Sequence, residues 1–154
     1  DLLEEAGVCA AMWADWWGFK IEAYDAIREN VPFVHAAGAC AIVHSDSDVG
    51  IQRLNQEAAK AWSDGVRAGL QITRGEVWTW LSRNPARALG IEGQTGSLTP
   101  GLRADVVIWS ADPLSTYAVA ERVFMDGALV YQVGQDQDRT SDFELGQSYR
   151  EGGQ

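Results

Sequence analysis

The apolar run Ala39-Cys-Ala-Ile-Val43 breaks off into His44-Ser-Asp46-Ser-Asp48, and no other boundary in the chain constrains the fold as much. A short, wholly apolar run of this kind reads as a buried strand, the sort found in parallel sheets covered on both faces. Ligands and catalytic groups of parallel α/β proteins gather where such strands end. His44 is one of only two histidines in the chain. Histidine-rich chemistry at this boundary therefore needs more than the local residues supply.

The neighbouring segments extend the pattern. Asp1-Leu-Leu-Glu-Glu-Ala-Gly7 reads as the end of a helix already under way, so the chain is expected to begin inside a larger element. Val8-Cys-Ala-Ala-Met-Trp13 is a second apolar strand, and Ala14-Asp-Trp-Trp-Gly-Phe-Lys20 an aromatic loop behind it. Ile21, Tyr24 and Ile27 have helical spacing, and Asn30 before Val31-Pro32 starts a helix that Gly38 stops. After the opening strand, Ile51, Leu54, Ala58 and Trp62 mark one face of a helix ended by Gly65. Strand, helix, strand, helix with short connections is a parallel βαβα order.

Later segments change character. Thr73-Arg-Gly-Glu76 has the form of a capping box, with Val77, Trp80 and Leu81 as the apolar face behind it. Asn84-Pro85 reads as the N-cap and first-turn proline of a short helix closing at Gly90, and Trp78 with Trp80 as core packing. Gly96-Ser-Leu, the Pro100-Gly101 turn, Val106-Val-Ile-Trp109 and Asp112-Pro113 read as small β structure. Asp126-Gly127 between two apolar runs signals a hairpin. Residues 134–154 are polar, Gly-rich and acidic, and read as a disordered tail.

Composition excludes some functions. A formal charge of −10 argues against a nucleic-acid or anionic-membrane partner. No apolar stretch is long enough to span a bilayer, and no basic segment precedes a signal-like core. Apolar residues make up 46% of the 154 residues, enough for a genuine hydrophobic core. Cys9 and Cys40 both sit in candidate strands, most simply as buried free thiols, with a single disulfide as the alternative.

Five blocks together carry a family resemblance: Asp15-Trp-Trp-Gly-Phe-Lys20, His44-Ser-Asp46, Arg53-Leu-Asn-Gln-Glu57, Asn84-Pro-Ala-Arg-Ala-Leu-Gly90, and Gly96-Ser-Leu-Thr-Pro-Gly-Leu-Arg-Ala-Asp105-Val-Val-Ile-Trp109. Over roughly residues 1–132 the chain resembles the C-terminal part of an amidohydrolase-superfamily enzyme, nearest the imidazolonepropionase-like branch. The resemblance implies an α/β fold in which residues 1–92 are the C-terminal strands and helices of an incomplete (β/α)8 TIM-type barrel. Residues 93–133 would add the C-terminal strands of a small β-sandwich. The two apolar strands would be barrel strands seven and eight. It also implies hydrolysis of amide, lactam or peptide-like C–N bonds by water activated on one or two divalent metals, commonly zinc.

Within that resemblance Asp46 matches the strand-eight aspartate that ligates metal and handles the proton of the attacking water. Alternation places Cys40, Ile42, His44 and Asp46 on one face of the strand. If that face points inward, Asp46 stands at the barrel mouth. A plain loop aspartate or helix cap is the structural alternative. His44 is read as orienting Asp46, or equally as a packed core histidine. Asp48 is a helix cap with a possible place at the substrate rim, and His35 is structural. Asp15, Trp16, Trp17 and Lys20 are substrate-wall candidates, balanced by a reading in which the tryptophans merely cover the barrel. Arg53 and Glu57 form a surface or interhelical pair.

The family's remaining ligands, an HxH pair and further side chains on other strands, are missing from this sequence. By itself the chain is expected to be inactive, with strands one to six coming from a companion polypeptide or from a homo-oligomer. Two barrel strands alone leave unpaired edges and an uncovered apolar face. The alternative function is a non-catalytic, truncated or partner-binding module. A third reading is a β-rich binding domain without parallel strands. Relatives with this aromatic loop suggest an exported or periplasmic setting.

Overall fold

The structure is a computed structural model and describes residues 1–16 and 18–135; Trp17 and most of the segment read as an acidic tail, 136–154, lie outside the described residues. Helix α1 (Leu2–Glu5) leads into β1 (Cys9–Met12), which pairs in parallel with β2 (Cys40–Val43). Cys9 stands opposite Cys40 and Met12 opposite Val43. The parallel pair removes the reading of a β-rich domain without parallel strands. All four residues of β2 are buried, in keeping with the continuous apolar run that marked it.

Register corrects the simpler reading of the cysteines. Cys9 and Cys40 are joined in a disulfide, and the described residues contain no free cysteine. In-register pairing brings their Cα atoms to 4.3 Å, which only a knowledge of the strand alignment could have supplied.

The chain between the strands also differs from its periodicity. The helix expected from Ile21, Tyr24 and Ile27 is a single 3-10 turn, Ile21–Ala23. Ile21 is 90% exposed and Tyr24 79%, so the stripe packs on nothing that would extend it. Helix α2 (Asn30–Ala36) begins where expected: Asn30 Oδ1 accepts the Val31 N–H at 2.6 Å. Gly38, at φ +83°, stops it.

Helix α3 (Leu54–Arg67), entered through a 3-10 turn at Ile51–Arg53, packs on α2 and β2. Gly65 does not end this helix but lies inside it. A Cβ there would meet Pro32 Cβ at 2.6 Å and Cγ at 2.8 Å, so the missing side chain lets α2 and α3 approach. The helix closes instead before Gly69, at φ +88°. Glu57 pairs with Lys60 at 2.8 Å rather than with Arg53.

Helix α4 (Arg74–Thr79) carries the full capping box between Thr73 and Glu76. Trp80, fully buried just behind it, donates its indole N–H to His35 Nδ1 at 3.2 Å. In α5 (Arg83–Ala88) the N-cap is Ser82, so Asn84 is not the cap it was read to be. Its amide instead donates to the Ala41 carbonyl at 2.7 Å. The Val43 N–H donates to the Trp80 carbonyl at 3.2 Å. The edge of β2 away from β1, expected to stand unpaired, is thus bonded at two points. Ala41 and Val43 join Val31, Ala58, Ala61, Val77 and Trp80 in the core.

Strands β3 (Val106–Trp109), β4 (Ala120–Met125) and β5 (Ala128–Gln132) form a second, antiparallel sheet in sequential order. Asp126 at φ +51° and Gly127 at φ +81° make the expected hairpin turn between β4 and β5. The segment ahead of β4 is tied back to the helices: Asn55 donates to the Pro113 carbonyl at 2.7 Å, and Arg74 pairs with Asp112 at 2.8 Å. Among the described residues no helix is long and apolar enough to cross a membrane.

Candidate functional site

The two parallel strands aim their C-terminal ends the same way, so the aromatic loop after β1 and the acidic loop after β2 share one side of the molecule. The His44 N–H donates to the Met12 carbonyl at 3.1 Å, carrying the ladder one step past β2. That step sets Trp13 opposite His44, and their rings lie 5.6 Å apart, tilted by 32°. Alternation assigns Cys9, Ala11 and Trp13 to the same face of the pair as Cys40, Ile42 and His44. The disulfide thus lies at the base of this face and the Trp13–His44 pair at its upper end.

Asp46 lies beyond that pair, exposed, and its carboxylate makes no hydrogen bond or ion pair with any described residue. Ser45 and Ser47 brace its loop: the Ser47 N–H donates to Ser45 Oγ at 3.1 Å and the Gly50 N–H to Ser47 Oγ at 3.0 Å. Asp48 acts in the turn, accepting the Val49 N–H at 2.9 Å. An uncommitted carboxylate on a braced loop is available to a proton, a substrate or an ion.

The residues predicted as substrate wall divide. Trp16 stacks on Trp13 at 5.0 Å, Phe19 meets Trp16 edge-on at 5.0 Å, and the Lys20 ammonium lies 5.9 Å above the Trp13 ring. Asp15 is drawn to α3 instead, where Lys60 donates to it at 2.9 Å and 3.0 Å. Burial works against the Lys60 charge, but the hydrogen bonds it donates to Glu57 and Asp15 outweigh it and hold the ammonium above its ordinary 10.5. Trp17 lies outside the described residues.

Trp13, Trp16 and His44 line a cleft of about 280 Å3, together with Met12, Ile27 and Asn30. Asn30 secures its wall by donating to the Trp13 carbonyl at 3.0 Å. The Trp13 indole N–H is buried without an acceptor among the described residues. Trp13 and Asn30 were not among the predicted site residues. The signal for Trp13 was present, since it occupies the same rung as His44 once two parallel strands are aligned. No local motif marked Asn30 as anything beyond a helix start.

A metal centre needs several donors converging on one point. Among the described residues no group of three or more His, Cys, Asp or Glu side chains is placed to hold a metal ion, and both cysteines are consumed by the disulfide. Asp46 therefore stands as a single candidate ligand. These residues alone do not fit a metal.

Comparison with known proteins agrees with the resemblance read from the motifs. A model of the amidohydrolase family matches residues 28–130. The chain is 30% identical over 118 residues to amidohydrolase tasK of Hapsidospora irregularis, which covers 76% of this chain and 11% of that protein. It is 32% identical over 90 residues to the imidazolonepropionase of Acidiphilium cryptum (strain JF-5), covering 58% of this chain and 22% of that enzyme. Among solved structures, an amidohydrolase from Thermotoga maritima MSB8 superposes with a TM-score of 0.73 at 28% identity, over 85% of this chain and 33% of its own. E. coli guanine deaminase shares the fold at a TM-score of 0.64 and 18% identity. The chain thus spans about a third or less of the relatives it matches. Since the family model covers well over half of it, the chain belongs to the amidohydrolase family.

Proposed function

We propose that this chain is the C-terminal segment of an amidohydrolase that hydrolyses C–N bonds and works only when the remaining barrel strands are supplied. In this reading β1 and β2 are the last two strands of a (β/α)8 barrel, and β3 to β5 are one sheet of a small β-sandwich. The observation that carries it is the Asp46 carboxylate, uncommitted among the described residues, just past the C-terminal end of a parallel strand and within the segment matched by the family model.

Asp46 has the chemistry of a proton carrier. Its carboxylate takes a proton from water as the water oxygen bonds to the substrate carbonyl carbon. The same group then returns that proton to the nitrogen as the C–N bond breaks, leaving a carboxylic acid and an amine. His44, two residues back, has its ring packed against Trp13 and serves to position the loop. A divalent metal, zinc by the resemblance, belongs to the completed site, with Asp46 as its one ligand from this chain. The Cys9–Cys40 disulfide supports an exported or periplasmic setting, because cytosolic thiols are kept reduced.

The incomplete donor set favours one rival reading, a non-catalytic module that binds a partner through this fold. The test is to purify the chain from its source, identify any polypeptide that accompanies it, and assay the assembly on amides, cyclic imides and lactams. Hydrolysis that Asp46→Asn lowers by about 10^2-fold or more supports the enzyme. An assembly with full metal content and no hydrolysis of any C–N bond supports the module.

A further inference from the structure

The aromatic cleft beside Asp46 has a use that proton transfer does not require. Trp13 and Trp16 stack into a double indole wall, His44 closes one side, and Met12 and Ile27 add apolar wall beside Asn30. At about 280 Å3 it has ample room for a single ring. Two of its lining residues, His44 and Trp16, lie two residues before Asp46 and on the loop after β1, so a substrate whose scissile bond is at Asp46 is taken to reach it. Lys20, 5.9 Å above Trp13, already holds the cationic position over that indole. A second cation there would meet like charge. Stacked aromatics beside apolar side chains suit an uncharged apolar or aromatic group, and the resident ammonium rejects a basic one.

We infer that this cleft is a specificity pocket selecting amides whose scissile bond is flanked by an uncharged, single-ring-sized apolar group. The inference rests on the proposed hydrolase reading and narrows it to a substrate class. Trp13 is the wall fixed by β1 and its rung partner His44, and Trp16 is the wall that a substitution removes without disturbing a strand.

The test compares amides identical at the scissile bond but carrying benzyl, methyl or aminobutyl groups beside it, with the full chain in its purified assembly. The benzyl substrate is expected to lead in kcat/KM by about 10-fold or more over either of the others, in the range one pocket-filling group commonly provides. Trp16→Ala should abolish that lead through KM, costing the benzyl substrate about 10-fold more than the methyl one, and Trp16→Phe should restore most of it. Equal losses on benzyl and methyl substrates, or an aminobutyl substrate as good as the benzyl one, overturn the pocket. If the assembly hydrolyses no amide at all, the hydrolase reading falls by itself. Calorimetric binding of the same three compounds then decides the pocket: tighter binding of the benzyl compound supports it, and equal affinities overturn it.

Discussion

Side chains that do not follow their local motif decide much at the scale of single residues. Gly65 has the look of a helix stop, yet it sits mid-helix because Pro32 lies where its Cβ would be. Ala is the better helix former by up to about 1 kcal/mol, but a stiff proline ring at 2.6 Å cannot give way without moving α2. Overpacking of this kind costs about 1–3 kcal/mol, so Gly65→Ala is expected to lower stability on balance. Urea unfolding followed by tryptophan fluorescence measures it, and a midpoint at or above that of the natural chain contradicts the contact. Asn84 is the parallel case: its amide bonds the Ala41 carbonyl at 2.7 Å, in a partly buried setting. Asn84→Ala leaves that carbonyl without its partner and should cost about 1–3 kcal/mol in the same experiment. Glu76 gives the residue scale its pH dependence. Hydrogen bonds from the Thr73 hydroxyl and Thr73 N–H favour its charged form and hold the carboxyl below its ordinary 4.5. A lowered carboxyl stabilises the fold above the unfolded-state value and loses that contribution as pH falls through the folded one. Glu76→Gln should therefore flatten the decline in stability between about pH 5 and pH 3, and an unchanged acid limb would show that the cap does not titrate with folding.

Several elements were legible in the sequence because their signal was local. The capping box at Thr73–Glu76, the Asp126-Gly127 hairpin and the apolar run of β2 each depend on a few adjacent residues, and each formed where expected. Ile21, Tyr24 and Ile27 misled because periodicity builds a helix only when its stripe has something to pack on, and Ile21 is 90% exposed. The disulfide was illegible for the opposite reason: Cys9 and Cys40 are 31 residues apart and meet only through the register of two strands. Trp13 was missed as a site residue through the same ignorance of register, since its importance comes from the rung it shares with His44. The disulfide carries a prediction of its own. Closing a loop of that length restricts the unfolded chain by about 3–4 kcal/mol in the chain-entropy description. Replacing both cysteines by serine should lower the stability of the β1–β2 unit by up to that amount. Mass spectrometry after alkylation without reductant should find neither thiol modified in the natural chain, and labelled thiols there would refute the cross-link.

For the whole molecule the question is which surfaces the chain leaves open and what that demands of it. The outer edge of β2 is held by the Trp80 carbonyl and the Asn84 amide, so it is not the free template that two isolated barrel strands suggest. Among the described residues the outer edge of β1 has no such cover: the backbone bonds of Cys9–Met12 run to β2. A second open surface is the groove of about 890 Å3 between α4, α5 and β3, lined by Trp78, Leu81, Leu89, Leu98, Val107 and Trp109 among others. Leu89 is 74% exposed and Leu98 83%. At about 25 cal/mol per Å2, apolar surface of this extent is costly to leave in water, and an exposed strand edge recruits whatever strand is available. The chain alone, at micromolar concentration, is therefore expected to elute from size-exclusion columns as a broad oligomer and to bind the dye ANS. A polypeptide that supplies the missing strands and covers both edge and groove should suppress both together. Closing a barrel uses both outer edges, that of β1 and that of β2 from which Trp80 and Asn84 would be displaced, and hydrogen exchange reads the two separately. Protection gained in β1 with Val43 unchanged points to the β1 edge, whereas a loss of protection around Trp80 points to displacement. A chain that is monomeric by itself, unfolds cooperatively and leaves ANS dark would show that these surfaces need no partner, and the companion-strand reading would fail with it.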